Sequence, residues 1–470
     1  MVNVLRSKAT AQILGLCFIS LSQANFVLAQ TTNPPPPLKL ETAVDLALAN
    51  YPAIKTAQAQ AVAARASIDV ARIAYLPHLD LLYQENRATR NNIFGAVLPQ
   101  SIIPSISGPV LPSTSWESTF GSAGGSLFSW EPFDFGARKA QVNVARAITN
   151  QANANVSVTE LDVATSAADT FVALAANEQA VRAAEANLLR AQTFADSVHA
   201  LVNNQLRAGA EAARADAELS VAKTQLIRAQ QLTEISRAAL AEALGMPGVS
   251  VLIVSDPLLE LPSDTSAPQP NFDLHPLALA QKSAIDIVKA REHVLALSYV
   301  PRFNLQGSVS GRGTGALTNG SFEGGLHGLW PTTPNYAVGM TVTFPTFEIF
   351  SLRARRRVEA SNEAVEYAKY EQTIELLKGQ YAKAQALIDG AVSIAQETPA
   401  ELKAAQQAER LTLERYKYGL ATVTDVADVQ RLLAQAEIDD RVARLNVWRA
   451  LLAAAKLQGD LRPFLQRVKH

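Results

Sequence analysis

The sequence has almost no cysteine: Cys17 is the only one in 470 residues. That excludes a disulfide framework and a thiolate metal site. It has no charge imbalance either. Forty-two Lys and Arg oppose 43 Asp and Glu, a net charge of −1, so no global positive field holds nucleic acid and no acidic tail is present. After residue 30 there is no apolar run of about 18 residues, which excludes a transmembrane helix. The six histidines form no ligand pair at helical spacing. No P-loop, nucleophile elbow or paired catalytic carboxylate stands out. Neither an enzyme nor a cofactor or metal protein is expected. What is present is 48% apolar residues, which excludes wholesale disorder.

Residues 1–29 have the form of a secretory signal peptide. Arg6 and Lys8 make a basic start, 11–21 a modest apolar stretch, and Val27-Leu28-Ala29 a cleavage site before Gln30. A lipid anchor at Cys17 is the competing reading, weakened by the bulk of Leu16 before it. A Pro-rich linker at 30–37 follows.

The rest of the chain reads as two copies of one pattern, 38–262 and 263–470. Tyr51-Pro52 opens a helical stretch closed by Tyr75-Leu76-Pro77; His275-Pro276 opens another closed by Tyr299-Val300-Pro301. The offset is 224 throughout. Gly209 in LRAGA and Gly419 in KYGLA are taken as a second anchor, at an offset of 210. Each copy then holds a helix, two alternating segments, a long helix, a glycine break and a last helix. In the first copy the strands are expected near 79–86 and 118–130, the long helix to 208 and the last helix over 210–245. In the second they are a helix at 276–299, strands near 303–311 and 335–344, a long helix to 418 and a last helix at 420–457. The copies meet at a Pro- and Asp-rich linker, 256–270.

The strands alternate with period two. Phe303, Leu305 and Val309 are interleaved with Asn304, Gln306, Ser308 and Ser310, giving one apolar face and one of amides and hydroxyls. Gly311–Gly315 reads as an extracellular loop. Residues 137–208 contain neither Gly nor Pro; such a helix spans about 108 Å and must coil against neighbours. Leu174, Val181, Leu188, Ala195 and Val202 recur every seven, as do Ile374, Tyr381, Ile388, Ala395 and Leu402. The second series passes straight through Pro399, which predicts a continuous helix with a kink near Glu397–Pro399. Four strands cannot close a membrane barrel, and open edges are not tolerated in lipid. If the strands span a membrane, three chains would share twelve of them above a ring of helices.

The duplicated pattern, WEPFDFGARKAQVNVARA (130–147), TFPTFEIFSLRARRR (343–357) and RYKYGLATVTDVADVQ (415–430) resemble the TolC-like outer membrane efflux protein family. The resemblance implies a mainly α fold with a small transmembrane β part: a shared twelve-stranded barrel and a long antiparallel α-helical barrel in the periplasm. It implies a homotrimer in outer membrane lipid, a periplasmic adaptor (membrane fusion) protein and an inner-membrane transporter as partners. The function implied is a passive outer membrane channel of an efflux or type I secretion system. The helical heptads alone would equally permit a periplasmic coiled-coil structural or adaptor protein without a channel.

The family likeness places Asp425 and Asp428 at a periplasmic gate; the simpler reading is charge favourable to a helix N-terminus. Tyr416 matches a tyrosine that helps hold the entrance shut. Ala421 and Ala215 stand where some relatives carry polar residues, which speaks against a hydrogen-bonded latch. Gly209 and Gly419 are expected to turn the chain at positive φ. Their neighbours Arg207, Ala210, Leu420 and Ala421 are expected at the exposed tips, as adaptor contacts. Arg353, Arg355, Arg356 and Arg357 are expected to form a solvated or snorkelling face at the membrane boundary.

Overall fold

The computed structural model describes residues 37–89, 91, 112–317, 321 and 323–469. The expected signal peptide, Cys17 and all but the last residue of the first linker lie outside the described residues.

A helix α1 (Leu40–Asn50) leads into α2 (Pro52–Ile73), with the proline at its first position where no N–H is needed. Strands β1 (His78–Thr89) and β2 (Ser118–Trp130) follow. The long helix α3 (Ala137–Asn203) turns into α4 (Gly209–Ala243). The second copy repeats this order as α5 (Pro276–Leu297), β3 (Arg302–Thr314), β4 (Thr333–Thr343), α6 (Glu348–Lys417) and α7 (Val423–Gln458). A short α8 (Arg462–Lys469) closes the chain. Gly311–Thr314, expected in a loop, belong to β3, because they pair with Gly121–Gly124 of β2.

The four strands form one antiparallel sheet in the order β1-β2-β3-β4. Cross-strand partners share a face, so the registers sort the side chains. Tyr83 faces Gly124, Phe128 faces Gly307, Leu305 faces Met340 and Val309 faces Tyr336 on one side. Ser129 faces Gln306, and Asn304 faces Thr341, on the other. The apolar side is bare: Tyr336 is 85% exposed, and Leu81, Val338 and Met340 are also open. The outer edges of β1 and β4 have no partner among the described residues. Among the described residues no helix is long and apolar enough to cross a membrane.

The joint from β2 into α3 explains the motif at 130–147. Phe135 (φ 49°) and Gly136 (φ 97°) both take positive φ where the strand passes into the helix. Asp134 caps the helix, accepting from the backbone N–H of Gly136 at 3.1 Å and of Arg138 at 2.6 Å. The Arg138 guanidinium is then stacked 4.9 Å from the Tyr75 ring, which ties the end of α2 to the start of α3.

The helices pair as α3 with α4 and α6 with α7, and α7 lies along α3. Charged ties run antiparallel along that seam: Arg190 with Glu437, Asp169 with Arg449, and Asp162 with Lys456. The main core sits midway, where Phe171, Leu174, Leu240, Leu445 and Trp448 are buried together. Here the segment expected as a linker is an ordered strap. The Trp448 indole donates to the Glu260 carbonyl at 2.9 Å, the Tyr381 hydroxyl to that of Ala267 at 2.6 Å, and Leu258 is buried. The strap can pack because buried Leu258 within it and buried Phe272 just after it are apolar anchors on either side of its polar stretch.

The helix α6 runs unbroken through Pro399. Its buried residues Leu377, Ala384, Thr398 and Ala405, with Ile388, Ala395 and Tyr416 on the companion row, keep a strict heptad. Pro399 falls on the exposed side. In α3 the heptad holds only in part. Val181, Leu188 and Val202 are half-buried, while the buried stripe runs Val172, Ala175, Gln179, Ala183, Asn187, Ala191, Ala195 and Val198. Steps of four dominate, the spacing of a nearly straight helix rather than of a left-handed supercoil.

Candidate functional site

The two helical turns end side by side at the end of the molecule away from the sheet. Each closes with the same pair of backbone hydrogen bonds. In the second turn, Gly419 N–H donates to Tyr416 O at 3.0 Å and Leu420 N–H to Arg415 O at 2.8 Å. In the first, Gln205 N–H donates to Val202 O and Leu206 N–H to Leu201 O, both at 2.9 Å. Both are Schellman ends, with Gly419 at φ 74° and Gln205 at φ 59°. The equivalent of Gly419 is therefore Gln205. Gly209 instead opens α4 as its first residue, at a helical φ that needs no glycine. The backbone thus matches a glycine to a glutamine, four residues before the Gly209 that the sequence pairs with Gly419.

A compact cluster joins the turns. Tyr416 is only 3% exposed and its ring stands edge-on to Phe194, 5.1 Å between centroids. Its hydroxyl donates to Glu211 Oε2 at 3.0 Å. Arg207 lies 4.8 Å over the same ring, donates from Nη2 to the Tyr416 carbonyl at 2.9 Å, and sits 3.6 Å from Glu211. Burial, reinforced by the bond to the Glu211 carboxylate, pushes the Tyr416 phenol up to about 12. The phenol is a fixed donor at any physiological pH. Hydrogen bonds thus tie the two copies together at the tip even though Ala421 and Ala215 supply none of them. The acid among these contacts is Glu211, two positions after Gly209, which the pairing of Gly209 with Gly419 conceals.

Asp425 and Asp428 are both exposed on the first turns of α7. Asp425 completes a capping box: Thr422 N–H donates to its Oδ2 at 2.8 Å and its own N–H donates to Thr422 Oγ1 at 3.3 Å. The backbone and hydroxyl of Thr422 hold its carboxyl below the usual range, so its charge is secure. The T-x-x-D spacing at 422–425 signals that box in the sequence. Asp428 binds Arg431 at 2.8 Å, and Arg431 also reaches Glu218 of α4 at 3.5 Å.

At the tips Ala210 and Leu420 are exposed, as are Leu206 and Tyr418. Two residues depart from the expected exposure. Ala421 is 8% exposed, packed with Val423 and Val426, because the chain folds back tightly after Leu420. Arg207 is half-buried by its contact with Tyr416. An apolar cleft of about 660 Å³ opens beside this cluster, lined by Phe194, Leu201, Leu413 and Tyr416 among others.

Comparison with known proteins places the fold. Residues 43–246 and 276–460 match the family described as outer membrane efflux protein, and the chain belongs to that family. One matched segment lies in each half of the chain. A sequence search of curated proteins finds no significant match. Among solved structures the chain is similar to the Campylobacter jejuni CmeC outer membrane channel, at 16% identity and TM-score 0.68, covering 89% of this chain and 85% of that one. It is similar to the Vibrio cholerae outer membrane protein VceC, at 17% identity and TM-score 0.68, covering 90% and 97%. It is also similar to the open state of the Neisseria gonorrhoeae MtrE outer membrane channel, at 20% identity and TM-score 0.64, covering 90% and 89%. The protein is an outer membrane efflux protein, with its sheet in the membrane and its helices in the periplasm. The reading as a coiled-coil adaptor without a channel is not supported.

Proposed function

We propose that three copies of this chain assemble into one passive conduit, with the cluster around Tyr416 as its periplasmic gate. The observation that carries the reading is the sheet: among the described residues, four strands, two open edges, one bare apolar face and one polar face. Lipid accepts the apolar face but not the open edges, since each unpaired backbone group there costs several kcal/mol. Pairing β4 of one chain with β1 of the next removes all edges after three copies, as twelve strands. The polar faces then line a wet lumen.

Below the membrane the paired helices of three chains form a ring, and the joined turns form its far end. Tyr416, Glu211 and Arg207 hold the α6–α7 turn against the α3–α4 turn; releasing them frees one pair to swing outward. The exposed tip residues Leu206, Ala210, Tyr418 and Leu420 are the contact offered to a periplasmic adaptor, which would couple the conduit to an inner-membrane transporter. Native mass spectrometry of the detergent-solubilised protein tests the assembly. A trimer is expected, and a stable folded monomer would refute the shared barrel.

A further inference from the structure

The geometry points to a seat for the phosphate of an anionic phospholipid, formed by Arg353, Arg356 and Arg357 where the sheet passes into the helices. It rests on the outer-membrane placement of the sheet and adds to it a lipid class and the residues that select it. Just below the strands an aromatic collar stands open to solvent: Phe133 and Phe135 after β2, Phe344, Phe347 and Phe350 after β4. Phe347 is 86% exposed. No water-facing surface stabilises five such rings, whereas the headgroup level of a bilayer does.

One helical turn further from the membrane come four arginines in five positions. Phe350, Arg353 and Arg357 follow at steps of three and four, so they share one stripe of α6. Arg353, Arg356 and Arg357 line an open cleft of about 410 Å³ together with Glu292 and Tyr299 of the α5 segment. Glu292 is the one carboxylate in its lining, and it is already engaged by Arg356 Nη2 at 3.0 Å. Among the described residues Arg353 and Arg357 have no acidic partner. The Nε of Arg356 is buried with no acceptor, so this guanidinium keeps unused donor capacity even beside Glu292 and the Tyr299 hydroxyl. Guanidinium groups match phosphate oxygens in pairs. A phosphate at this depth, with its acyl chains running up along the phenylalanine collar, meets both features at once. The surplus positive charge favours a headgroup with net negative charge over a zwitterionic one.

Full-length protein in detergent, titrated separately with phosphatidylglycerol and phosphatidylcholine and read by native mass spectrometry, tests this. Phosphatidylglycerol is expected to be retained at least about fivefold more strongly, the weight of one guanidinium near a lipid surface. The R353Q/R357Q variant should lose that preference and keep the assembly state. R355Q, off the stripe and outside the cleft, should keep the preference. Should the double variant fail to fold, R353Q and R357Q singly are each expected to lower phosphatidylglycerol retention about fivefold. Equal retention of both lipids, or an undiminished preference in R353Q/R357Q, overturns the seat while leaving the membrane placement standing. No retention of either lipid would overturn both. Displacement of bound phosphatidylglycerol by excess inorganic phosphate alone would assign the cleft to the free ion and overturn the lipid.

Discussion

Gln205 and Gly419 hold the same place in the two turns, and only glycine is free to take it. A side chain at positive φ costs about 1–2 kcal/mol. Gly419 avoids the cost, and a Cβ built there would meet only Arg207 Nη2 at 3.6 Å, an ordinary contact. Gln205→Gly is therefore expected to slow hydrogen exchange of the first turn about fivefold, and Gly419→Ala to hasten that of the second by a similar factor. Equal rates in the wild type and both variants would show that the turns are not held by their Schellman ends. His275 supplies a second test at this scale. It caps α5, with Nδ1 accepting from Leu277 N–H at 3.2 Å and Nε2 facing the Lys456 carbonyl at 3.1 Å. The ring is 5% exposed, and burial lowers its pKa below the ordinary 6.5. Protonation would put a proton on the capping nitrogen. The contribution is complete above pH 6.5 and is lost as pH falls toward the depressed native value. The thermal midpoint should drop between about pH 7 and 5, and less steeply in His275→Asn, which caps without titrating.

The elements differ in how their length is protected. α3 excludes Gly and Pro throughout, whereas α6 carries Pro399 in its interior. An interior proline removes the hydrogen bond to the Ala395 carbonyl and costs about 3 kcal/mol or more. Thr398 and Asp440 sit 3.4 Å apart beside it, and Arg444 reaches Asp440 at 3.2 Å, so the break is braced from α7. Pro399→Ala is expected to slow exchange of amides 395–403 in α6 by about a hundredfold, leaving α3 unchanged. A uniform rate along α6 before and after the substitution would deny any local weakness there. The strict heptad made the continuity of α6 legible, because the same face is buried on both sides of the proline. The partial heptad of α3 misled in detail: Val181 and Leu188 fit the seven-residue step, yet packing between α4 and α7 selects the straighter stripe through Gln179 and Asn187.

In the whole molecule, charge at the far end would be multiplied by assembly. Three copies of Asp425 and Asp428 in the proposed trimer place six carboxylates around one narrow mouth, which favours cations. Asp428 is ion-paired with Arg431 at 2.8 Å, whereas Asp425 has no ion pair among the described residues and feels Arg415 only at longer range, so Asp425→Asn should reduce cation selectivity in planar bilayers more than Asp428→Asn does. Thr422 remains the N-cap in both variants, and in Asp425→Asn an amide oxygen can still accept from Thr422 N–H, which separates the electrostatic effect from unfolding. Equal reversal potentials for both variants and the wild type would place these side chains outside the ion path.

Periodicity along the chain determines much of this protein. Period-two alternation defined the β2 strand at 118–130 and the others to within a few residues. Gly- and Pro-free length required a long helix packed along neighbours, and the repeated Pro-to-Pro spacing revealed the duplication. These are local properties, written in the order of residues along one segment. The tertiary structure decided what local order does not encode. Which residue of the first turn matches Gly419 depends on backbone φ, and Gln205 adopts an angle that its identity argues against. That Glu211 rather than Ala215 meets Tyr416 depends on how two segments some 200 residues apart in sequence come into register. The polar strap at 256–270 is ordered because Trp448, Tyr381 and Gln385 offer it hydrogen bonds from helices that reach it only once the chain has folded.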